Sequence, residues 1–446
     1  MQKIYRYGAY CAILTQNNQG AILLLQFSVN NFKSIKDTVV FSMATSSKDK
    51  GNSFKARKYE LLHSAIIYGA NASGKSNLLK AMAFMGMLVL NKTKVIQSTD
   101  TLPHEPFRLN TETEHSSSSF EIVCFIDEIK YRYGFELDKS MVYSEWLYAD
   151  EKGKESKLFY RDENEDDYVN QNKFKEGYSF YDHSKTKINI SKNQLFIWKC
   201  DQDSGEISKK ILHWFSRFNF IDGMKHEGYI NYTMKEMGNP KLKEKMVELV
   251  KTADIGIEDI RLEKEVVPAH IVDKLPLSEE IKKEILDDGG LTATILETYH
   301  KKFDANNNEA GEVVFKLDRE ESQGTRKFFK MSAPILNTLR NGKVLIIDEL
   351  DASLHPMITK HLISLFHNKE INTKNAQLIF ATHDANLLTK SIFRRDQIWL
   401  TEKDKFGATD ISSLAQFKNV RNNDDFEKHY IQGKYGAIPY LGKFEI

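Results

Sequence analysis

A glycine-rich loop carries the residues with the clearest chemistry. Residues 66–79, IIYGANASGKSNLL, contain Gly69 and Gly74 followed by Lys75 and Ser76, in the spacing of a phosphate-binding loop between a strand and a helix. The glycines let backbone N–H groups converge on phosphates, and the helix N-terminus adds a positive dipole end. Lys75 is expected to bridge the β- and γ-phosphates, and the Ser76 hydroxyl to ligate Mg²⁺. The loop therefore predicts a site for a nucleoside triphosphate with Mg²⁺.

Two adjacent carboxylates form a second motif. The apolar residues 344–347 lead into Asp348 and Glu349, at the carboxyl end of a strand, where α/β sheets bind their ligands. Asp348 is expected to hold Mg²⁺ through water, and Glu349 to orient or deprotonate the attacking water. Because an apolar run ending in Asp-Glu is also a common strand end, this interpretation depends on the phosphate-binding loop.

A histidine follows a third apolar strand. Residues 378–381 precede Thr382 and His383, so the imidazole would lie at the same sheet edge. There it can hydrogen-bond the γ-phosphate and report its presence. A single histidine is more often structural, and only the two other motifs favour the functional interpretation.

The charged stretch DREESQGTRKFFKM, residues 318–331, has no obvious nucleophile or metal cluster. Phe328, Met331, Ile335 and Leu339 have helical spacing, and Ser322 lies at the start of that helix, where unpaired N–H groups favour an anion. Considered alone, the stretch reads as a solvated helix cap.

These motifs need an α/β scaffold to position them. The runs KVLIIDEL and QLIFATH are typical of parallel strands buried on both faces, whereas the alternation over residues 120–161 predicts an antiparallel β-subdomain. The predicted fold is a P-loop NTPase with a mixed or parallel sheet core, that β-subdomain and a helical insertion. The predicted segments are an N-terminal extension (1–22), a first lobe with the P-loop (23–200), the helical insertion (201–310) and a second lobe (311–446). Within the insertion, helices are predicted around residues 211–218 and 242–250.

Composition excludes several classes of protein. The 63 basic residues nearly equal the 62 acidic ones, so any binding to nucleic acid needs a local patch. Cys11, Cys124 and Cys200 are far apart and predict neither a disulfide framework nor a zinc site. Apolar runs are too short to span a membrane, and the polar residues 15–20 interrupt the apolar start of the chain, against a signal peptide. A cytoplasmic location is predicted.

The motif order resembles that of the ABC-type ATPases of the SMC, RecF and OLD (overcoming-lysogenization-defect) group. The separation of 273 positions from Lys75 to Asp348 implies a split ATPase head, and residues 24–37, LLQFSVNNFKSIKD, look like the first strand of that group. A D-loop-like LDASLHP follows Glu349. The loop has the N-x-S-G-K-S-N wording of the group, which implies that ATP is bound by Asn71, Ala72, Ser73, Gly74, Lys75, Ser76 and Asn77.

Within this group the chain is most similar to AAA-type ATPases of bacterial abortive-infection and phage-defence systems. The similarity extends to residues 430–441, YIQGKYGAIPYL, which look like the ending of that family. No chemistry can be assigned to this ending.

The resemblance also implies a function for Ser322 and Gly324. They stand at the position of the ABC signature, whose Ser hydroxyl and Gly N–H bind the γ-phosphate of ATP held by another subunit. Two heads would then enclose two ATP molecules, in a dimer or a higher oligomer that ATP closes and hydrolysis releases. The sequence departs from the pattern, because the signature lacks its leucine and double glycine and because His355 replaces the D-loop aspartate. Gln97 and residues 106–108 are weak candidates for the Q-loop.

Three functions remain to be compared. The first is an ATP-driven switch in anti-phage defence; the 63 residues after His383 are too few for a TOPRIM nuclease domain, which predicts a separate nuclease or toxin as effector. The second is a RecF-like repair ATPase that clamps DNA, for which only the basic residues 55–58, Arg394 and Arg395 offer a surface. The third, a transporter motor, disagrees with the wide motif separation. The trigger, the effector, the oligomer size and any choice between DNA and RNA stay open.

Overall fold

The computed structural model describes residues 22–45, 51–91, 97–222, 227–253, 256–274, 278–287, 291–418, 420–421 and 424–439. These residues form two compact units. The smaller unit contains residues 227–336 and 353–355, and the larger unit contains the other described residues. The predicted N-terminal extension and Cys11 lie outside the described residues, apart from residue 22.

The described residues contain twenty strands and twelve α-helices. The strands are β1 (Ile22–Asn30), β2 (Val39–Ser42), β3 (Ser53–Ala56), β4 (Tyr59–Leu62), β5 (Ser64–Gly69), β6 (Ser118–Ile126), β7 (Ile129–Leu137), β8 (Val142–Asp150), β9 (Glu155–Asp162), β10 (Tyr168–Val169), β11 (Tyr181–Asp182), β12 (Lys187–Ile188), β13 (Phe218–Asp222), β14 (Ile257–Val266), β15 (Thr292–Phe303), β16 (Glu309–Lys316), β17 (Val344–Asp348), β18 (Gln377–Ala381), β19 (Ile398–Lys403) and β20 (Thr409–Ser413). The helices are α1 (Lys75–Leu90), α2 (Lys175–Tyr178), α3 (Phe196–Gln202), α4 (Glu206–Ser216), α5 (Glu227–Glu236), α6 (Pro240–Lys251), α7 (Ala269–Val272), α8 (Glu279–Asp287), α9 (Leu317–Glu320), α10 (Gln323–Asn341), α11 (Pro356–His367) and α12 (Phe426–Ile431).

The six-stranded sheet of the larger unit positions the predicted site. Its order is β13-β17-β18-β5-β19-β20, with the first five strands parallel and β20 antiparallel to β19. Strands β5, β17 and β18 are buried along their whole length, as their apolar sequences predict. Their carboxyl ends therefore meet at one edge of the sheet, and the predicted mixed core is confirmed.

The second sheet of the larger unit is antiparallel, with the order β10-β9-β8-β7-β6-β1-β2. Helix α1 joins both sheets into one hydrophobic core. Its Phe84 ring lies 5.0 Å from that of Phe120 on β6, and Met82 shares the core with Ile346 on β17. The predicted β-subdomain is therefore confirmed, and burial of α1 fixes the helix that begins at the phosphate-binding loop.

The smaller unit corrects the prediction of a helical insertion. Residues 257–316 form a three-stranded antiparallel sheet, β14-β15-β16, besides helices α5 to α10. Only Ile257 and Ile260 of β14 are buried and its last four residues are exposed, so it lacks the alternation of buried residues that would predict a strand from sequence. Residues 201–310 are thus a mixture of helices and strands.

The predicted segment boundaries also differ from the compact units. Phe218, expected to continue a helix, begins β13 instead, and β13 belongs to the six-stranded sheet with strands from both predicted lobes. Tertiary pairing with β17 overrides the local helical spacing. No helix in the described part of the chain is long and apolar enough to cross a membrane.

Candidate nucleotide-binding site

The carboxyl edge of the six-stranded sheet holds an open cleft of about 720 Å³. Strands β5, β17 and β18 end beside it at Gly69, Asp348 and Ala381. The cleft is lined by Asn71, Ala72, Ser73, Gly74, Lys75, Ser76, Asn77, Glu349, His383 and Lys403. The three motifs predicted along the sequence are therefore close together in the larger unit.

Close packing explains the two glycines of the loop. A Cβ atom on Gly74, whose φ is +113°, would lie 2.2 Å from Oγ1 of Thr409, and one on Gly69 would lie 2.3 Å from Oγ1 of Thr401. Both threonines also hold Ser73: Thr401 and Ser73 share a hydroxyl hydrogen bond of 2.6 Å, and Thr409 donates to the Ser73 carbonyl at 2.9 Å. Strands β19 and β20 thus fix the curvature of the loop from behind.

The Lys75 side chain folds back into the loop. Its ammonium group donates to the carbonyl oxygens of Gly69 at 2.7 Å and Ala70 at 3.1 Å. Burial lowers the Lys75 pKa, against the opposing effect of the carboxylates of Asp348 and Glu349. A phosphate in the loop would offer this buried cation a stronger partner than two neutral carbonyls.

Asp348 is the residue that best fits a metal ion. Its side chain is buried, and its Oδ1 atom has no hydrogen-bond partner among the described residues. Burial raises the Asp348 pKa, while a hydrogen bond from Ser76 and the charge of Lys80 oppose the rise. Carboxylate and hydroxyl oxygens are the ligands that Mg²⁺ prefers. Asp348 and Ser76 therefore suit Mg²⁺, which would satisfy the buried oxygen.

A further carboxylate lies on the neighbouring strand. Asp222 ends β13 directly beside Asp348 in the parallel register, and its negative charge contributes to the raised Asp348 pKa. Asp222 could not be predicted from the sequence, because no local pattern reveals which strand pairs with β17.

Glu349 adopts a left-handed backbone conformation with φ of +53°. This conformation is uncommon for a residue other than glycine and is often found at functional sites. It occurs where the chain leaves β17, and Glu349 lines the cleft. The predicted role of Glu349 toward water stays a prediction.

The loop after β18 places His383 in the cleft with an exposed side chain. Its backbone N–H donates to Oδ2 of Asp351 at 3.3 Å, which connects this loop to the segment after Glu349. The other carboxylate oxygen of Asp351 is buried without a partner among the described residues. His383 thus lies at the predicted edge, and Asp351 is a contact that the sequence analysis did not identify.

A family model decides how this arrangement is classified. The model described as "AAA domain, putative AbiEii toxin, Type IV TA system" matches residues 64–389. The chain belongs to this family. The predicted resemblance to ABC-type AAA ATPases associated with abortive infection is thereby confirmed.

The solved structures that match the chain include two SMC heads and RecF. An SMC head bound to the C-winged helix domain of ScpA is 15% identical, with a TM-score of 0.45, and the match covers 87% of this chain and 97% of that chain. The SMC head domain from Thermotoga maritima is 13% identical, with a TM-score of 0.42 and coverage of 87% and 98%. RecF with ATP is 13% identical, with a TM-score of 0.37 and coverage of 90% and 100%. No curated protein matches the chain.

In this AAA-family chain the signature-like residues lie in the smaller unit. The Ser322 hydroxyl accepts a hydrogen bond of 3.0 Å from the N–H of Thr325 and so caps the start of α10. A Cβ atom on Gly324 would lie 2.8 Å from the carbonyl oxygen of Ser353 in the D-loop-like segment. Ser322 is exposed. The helix cap is therefore real, and the binding of a second subunit's ATP stays a prediction.

The two Q-loop candidates have structural contacts instead. The carbonyl of Gln97 accepts from the side chain of Asn193 at 2.7 Å. Phe107 is buried, and its N–H donates to Oδ1 of Asn31 at 2.9 Å. Neither lines the cleft.

Proposed function

We propose that the protein binds ATP with Mg²⁺ and hydrolyses it. The supporting observation is the buried Asp348 oxygen that lacks a partner among the described residues beside Ser76, at the edge where the phosphate-binding loop ends. A buried carboxylate oxygen without a donor is costly, so it indicates a missing cation. Membership in an AAA family supports the same function.

Each residue of the cleft has a distinct role in this proposal. Lys75 exchanges its two carbonyl partners for the phosphates, and the N–H groups of the loop bind the phosphate oxygens. Glu349 orients the attacking water and accepts its proton, while His383 hydrogen-bonds the γ-phosphate. Mg²⁺, when bound by Ser76 and Asp348, supplies charge that stabilises the transferred phosphoryl group.

The proposal includes ATP-dependent association of two heads. Ser322 is exposed at the N-terminus of α10, a 19-residue helix, and this position favours an anion. Ser322 and Gly324 would contact the γ-phosphate bound by a second copy, so that ATP closes the pair and hydrolysis opens it. This association is the conformational switch of the protein.

We further assign the switch to anti-phage defence in the cytoplasm. The family description, with its abortive-infection and toxin–antitoxin association, supports this role. In the proposal, the closed assembly holds or releases a separate effector protein with nuclease or toxin activity.

A DNA-clamping function of the RecF kind receives less support. Two of the basic residues that it needs have partners within the chain: Arg57 donates to the carbonyls of Asp150 and Glu151, and Arg394 pairs with Asp396. ATP-stimulated DNA binding with steep salt dependence, measured by fluorescence anisotropy, would favour it over the defence switch.

The experiment that tests the proposal compares Glu349→Gln with Glu370→Gln. Glu370 is exposed between α11 and β18, away from the cleft, so its variant is a matched control. Glu349→Gln is expected to lower ATP turnover about 10²- to 10³-fold while preserving binding of Mg-ATP and prolonging nucleotide-dependent association. Phosphate release and size-exclusion chromatography measure both effects. Turnover within twofold of the wild type would refute the catalytic role.

A further inference from the structure

The C-terminal segment with no assigned chemistry is folded against the cleft elements. Residues 430–439 are described, and 440–441 lie outside the described residues. Helix α12 is followed by a turn that contains Gly433, Gly436 and Ala437, with φ of +72°, +68° and +58°. Tyr435 and Ala437 are buried within it. We name residues 426–437 the tail clamp.

Tyr430 of the tail clamp contacts the strand that leads into the phosphate-binding loop. Its ring centroid lies 5.5 Å from that of Tyr68, the residue before Gly69. Its hydroxyl donates to the carbonyl of Ala437 at 3.1 Å, and the nearby backbone N–H of Gly69 lowers the Tyr430 pKa against the effect of burial. One phenol group thus connects the turn of the tail clamp to the first glycine of the loop.

Tyr68 extends this connection to the histidine loop. The Tyr68 hydroxyl donates to the carbonyl oxygen of Asp384 at 2.8 Å, directly after His383. Helix α12 also packs against the short helix Ala385–Leu387. The tail clamp therefore contacts two of the three motifs.

A second contact reaches the support behind the loop. A Cβ atom on Gly436 would lie 2.8 Å from Oε2 of Glu402, so the turn approaches this residue closely. Glu402 follows Thr401, whose hydroxyl is bonded to Ser73. A displacement of the phosphate-binding loop would thus be transmitted to the tail clamp through two contacts, one at Tyr430 and one at Gly436.

Both the ligand and the tail clamp would alter the contacts of one residue, Gly69. Its carbonyl accepts from Lys75 at 2.7 Å, and its backbone N–H is near enough to Tyr430 to lower the pKa of that phenol. In the proposed function, phosphate replaces that carbonyl as the partner of Lys75, which would change the restraint on Gly69. We propose that Tyr430 is a positioning residue through which the tail clamp senses the nucleotide and, reciprocally, sets its affinity; this inference rests on the proposed binding of ATP.

The test uses Tyr430→Phe in the full chain, which removes one oxygen atom and keeps the ring. Tyr435→Phe is the matched control, because the Tyr435 hydroxyl bonds His429 within the tail clamp at 3.1 Å and belongs to no described contact with the loop. Two quantities are measured: the Kd of a fluorescent ATP analogue with Mg²⁺, and hydrogen exchange of residues 426–437 with and without ATP. A thermal transition like that of the wild type shows that each variant is folded.

Tyr430→Phe is expected to weaken binding roughly fivefold and to abolish the ATP-dependent change in exchange, whereas Tyr435→Phe changes neither by more than about twofold. Equal behaviour of the two variants, or no ATP-dependent exchange in a wild type that binds ATP, overturns the inference alone. A wild type that binds no Mg-ATP overturns the proposed function as well, so the two failures are distinguishable.

Discussion

The N–H of His383 donates to a carboxylate oxygen of Asp351, so the segment after Glu349 fixes the loop that carries the histidine. Asp351→Ala is expected to lower kcat about tenfold, because a small displacement of a positioned group costs this much or more. A double-mutant cycle with His383→Ala in steady-state ATPase assays provides the check. If Asp351 acts through His383, the double variant turns over no more slowly than His383→Ala; additive losses would contradict this role.

Gly74 and Gly153 both have positive φ, but only Gly74 has close neighbours. Substitutions at the two positions therefore distinguish the effect of backbone strain from that of steric overlap. Gly74 has φ of +113° and Thr409 against it, whereas Gly153 has φ of +95° and no heavy atom within 4 Å of the place that a Cβ atom would take. Gly74→Ala is expected to abolish ATP binding, and Gly153→Ala to retain it, although each loses about 1 kcal/mol of stability from the strained conformation. Calorimetric titration with Mg-ATP measures the difference. Retained affinity in Gly74→Ala would show that the loop tolerates displacement from Thr409.

Asp348 should destabilise the protein when no ligand is bound. Because burial raises its pKa above the ordinary value of 3.8, the folded state disfavours the charged form, and the penalty is present above the folded-state pKa. Asp348→Asn is therefore expected to raise Tm at pH 7 by on the order of 2 °C, an advantage that disappears as pH falls through the folded-state pKa. The variant should also lose most of the Tm increase that Mg-ATP gives the wild type.

Scanning fluorimetry with and without Mg-ATP tests both effects. Asp410→Asn, on the exposed face of β20, is the control. A lower Tm for ligand-free Asp348→Asn would disprove the argument from burial.

A substitution of Ser322 should distinguish the binding of ATP by one copy of the chain from the contribution of a second copy to its hydrolysis. Ser322→Arg is expected to leave ATP affinity within about twofold and to reduce turnover and nucleotide-dependent association by at least tenfold, since the larger side chain obstructs the exposed start of α10. Ser278→Arg is matched, because the Ser278 hydroxyl similarly accepts from Ile281 at 3.4 Å in the same unit. Analytical ultracentrifugation with ATP measures association. If hydrolysis survives, Ser322 is only a helix cap.

His63, which is buried, and His367, which is partly buried, both have lowered pKa values and predict that the fold is sensitive to acid. Burial lowers the pKa of His63 to about 4 and that of His367 to about 3; His367 shares a 2.6 Å hydrogen bond with Ser64. Below pH 6.5 the unfolded state binds these protons and the folded state does not, so stability falls as pH falls toward the folded-state values. Each histidine contributes about 1.4 kcal/mol per pH unit in this window.

His367→Gln should remove one such contribution from the slope between pH 6.5 and 4.5, measured by chemical denaturation. A slope that is equal in His367→Gln and the wild type would indicate that His367 is protonated in the folded state.

Site residues that are adjacent in the chain can be predicted from the sequence. Those that come together only through folding cannot. Residues 69–77 and Asp348 with Glu349 form short patterns whose chemistry can be read directly. Thr409, in contrast, bonds Ser73 across 336 residues, and no local signal indicates it. Lys403 lines the cleft at the end of β19. This strand pairs with β5, which is similarly distant in the sequence.

The same limit applies to the fold. Apolar runs of β5, β17 and β18 reveal buried strands, and α1 follows from its spacing. Strand β14 could not be predicted, because its outer half is exposed and carries charged residues. The nearby prolines favour short helices, so the sequence predicts helices and not a strand in this region.

The position of β5 between β18 and β19 has a consequence for synthesis of the chain. The strand leaves the ribosome long before its neighbours, since Gln397, directly before β19, bonds Ser64 across 333 residues. The nascent polypeptide must therefore carry an apolar strand without its partners until β18 and β19 have been made, which exposes it to aggregation and to chaperones. Products that terminate before these strands contain the entire phosphate-binding loop but lack Thr401 and Thr409, which hold Ser73 in the full chain. Only chains that extend through β19 and β20 can therefore hold the loop as the folded protein does.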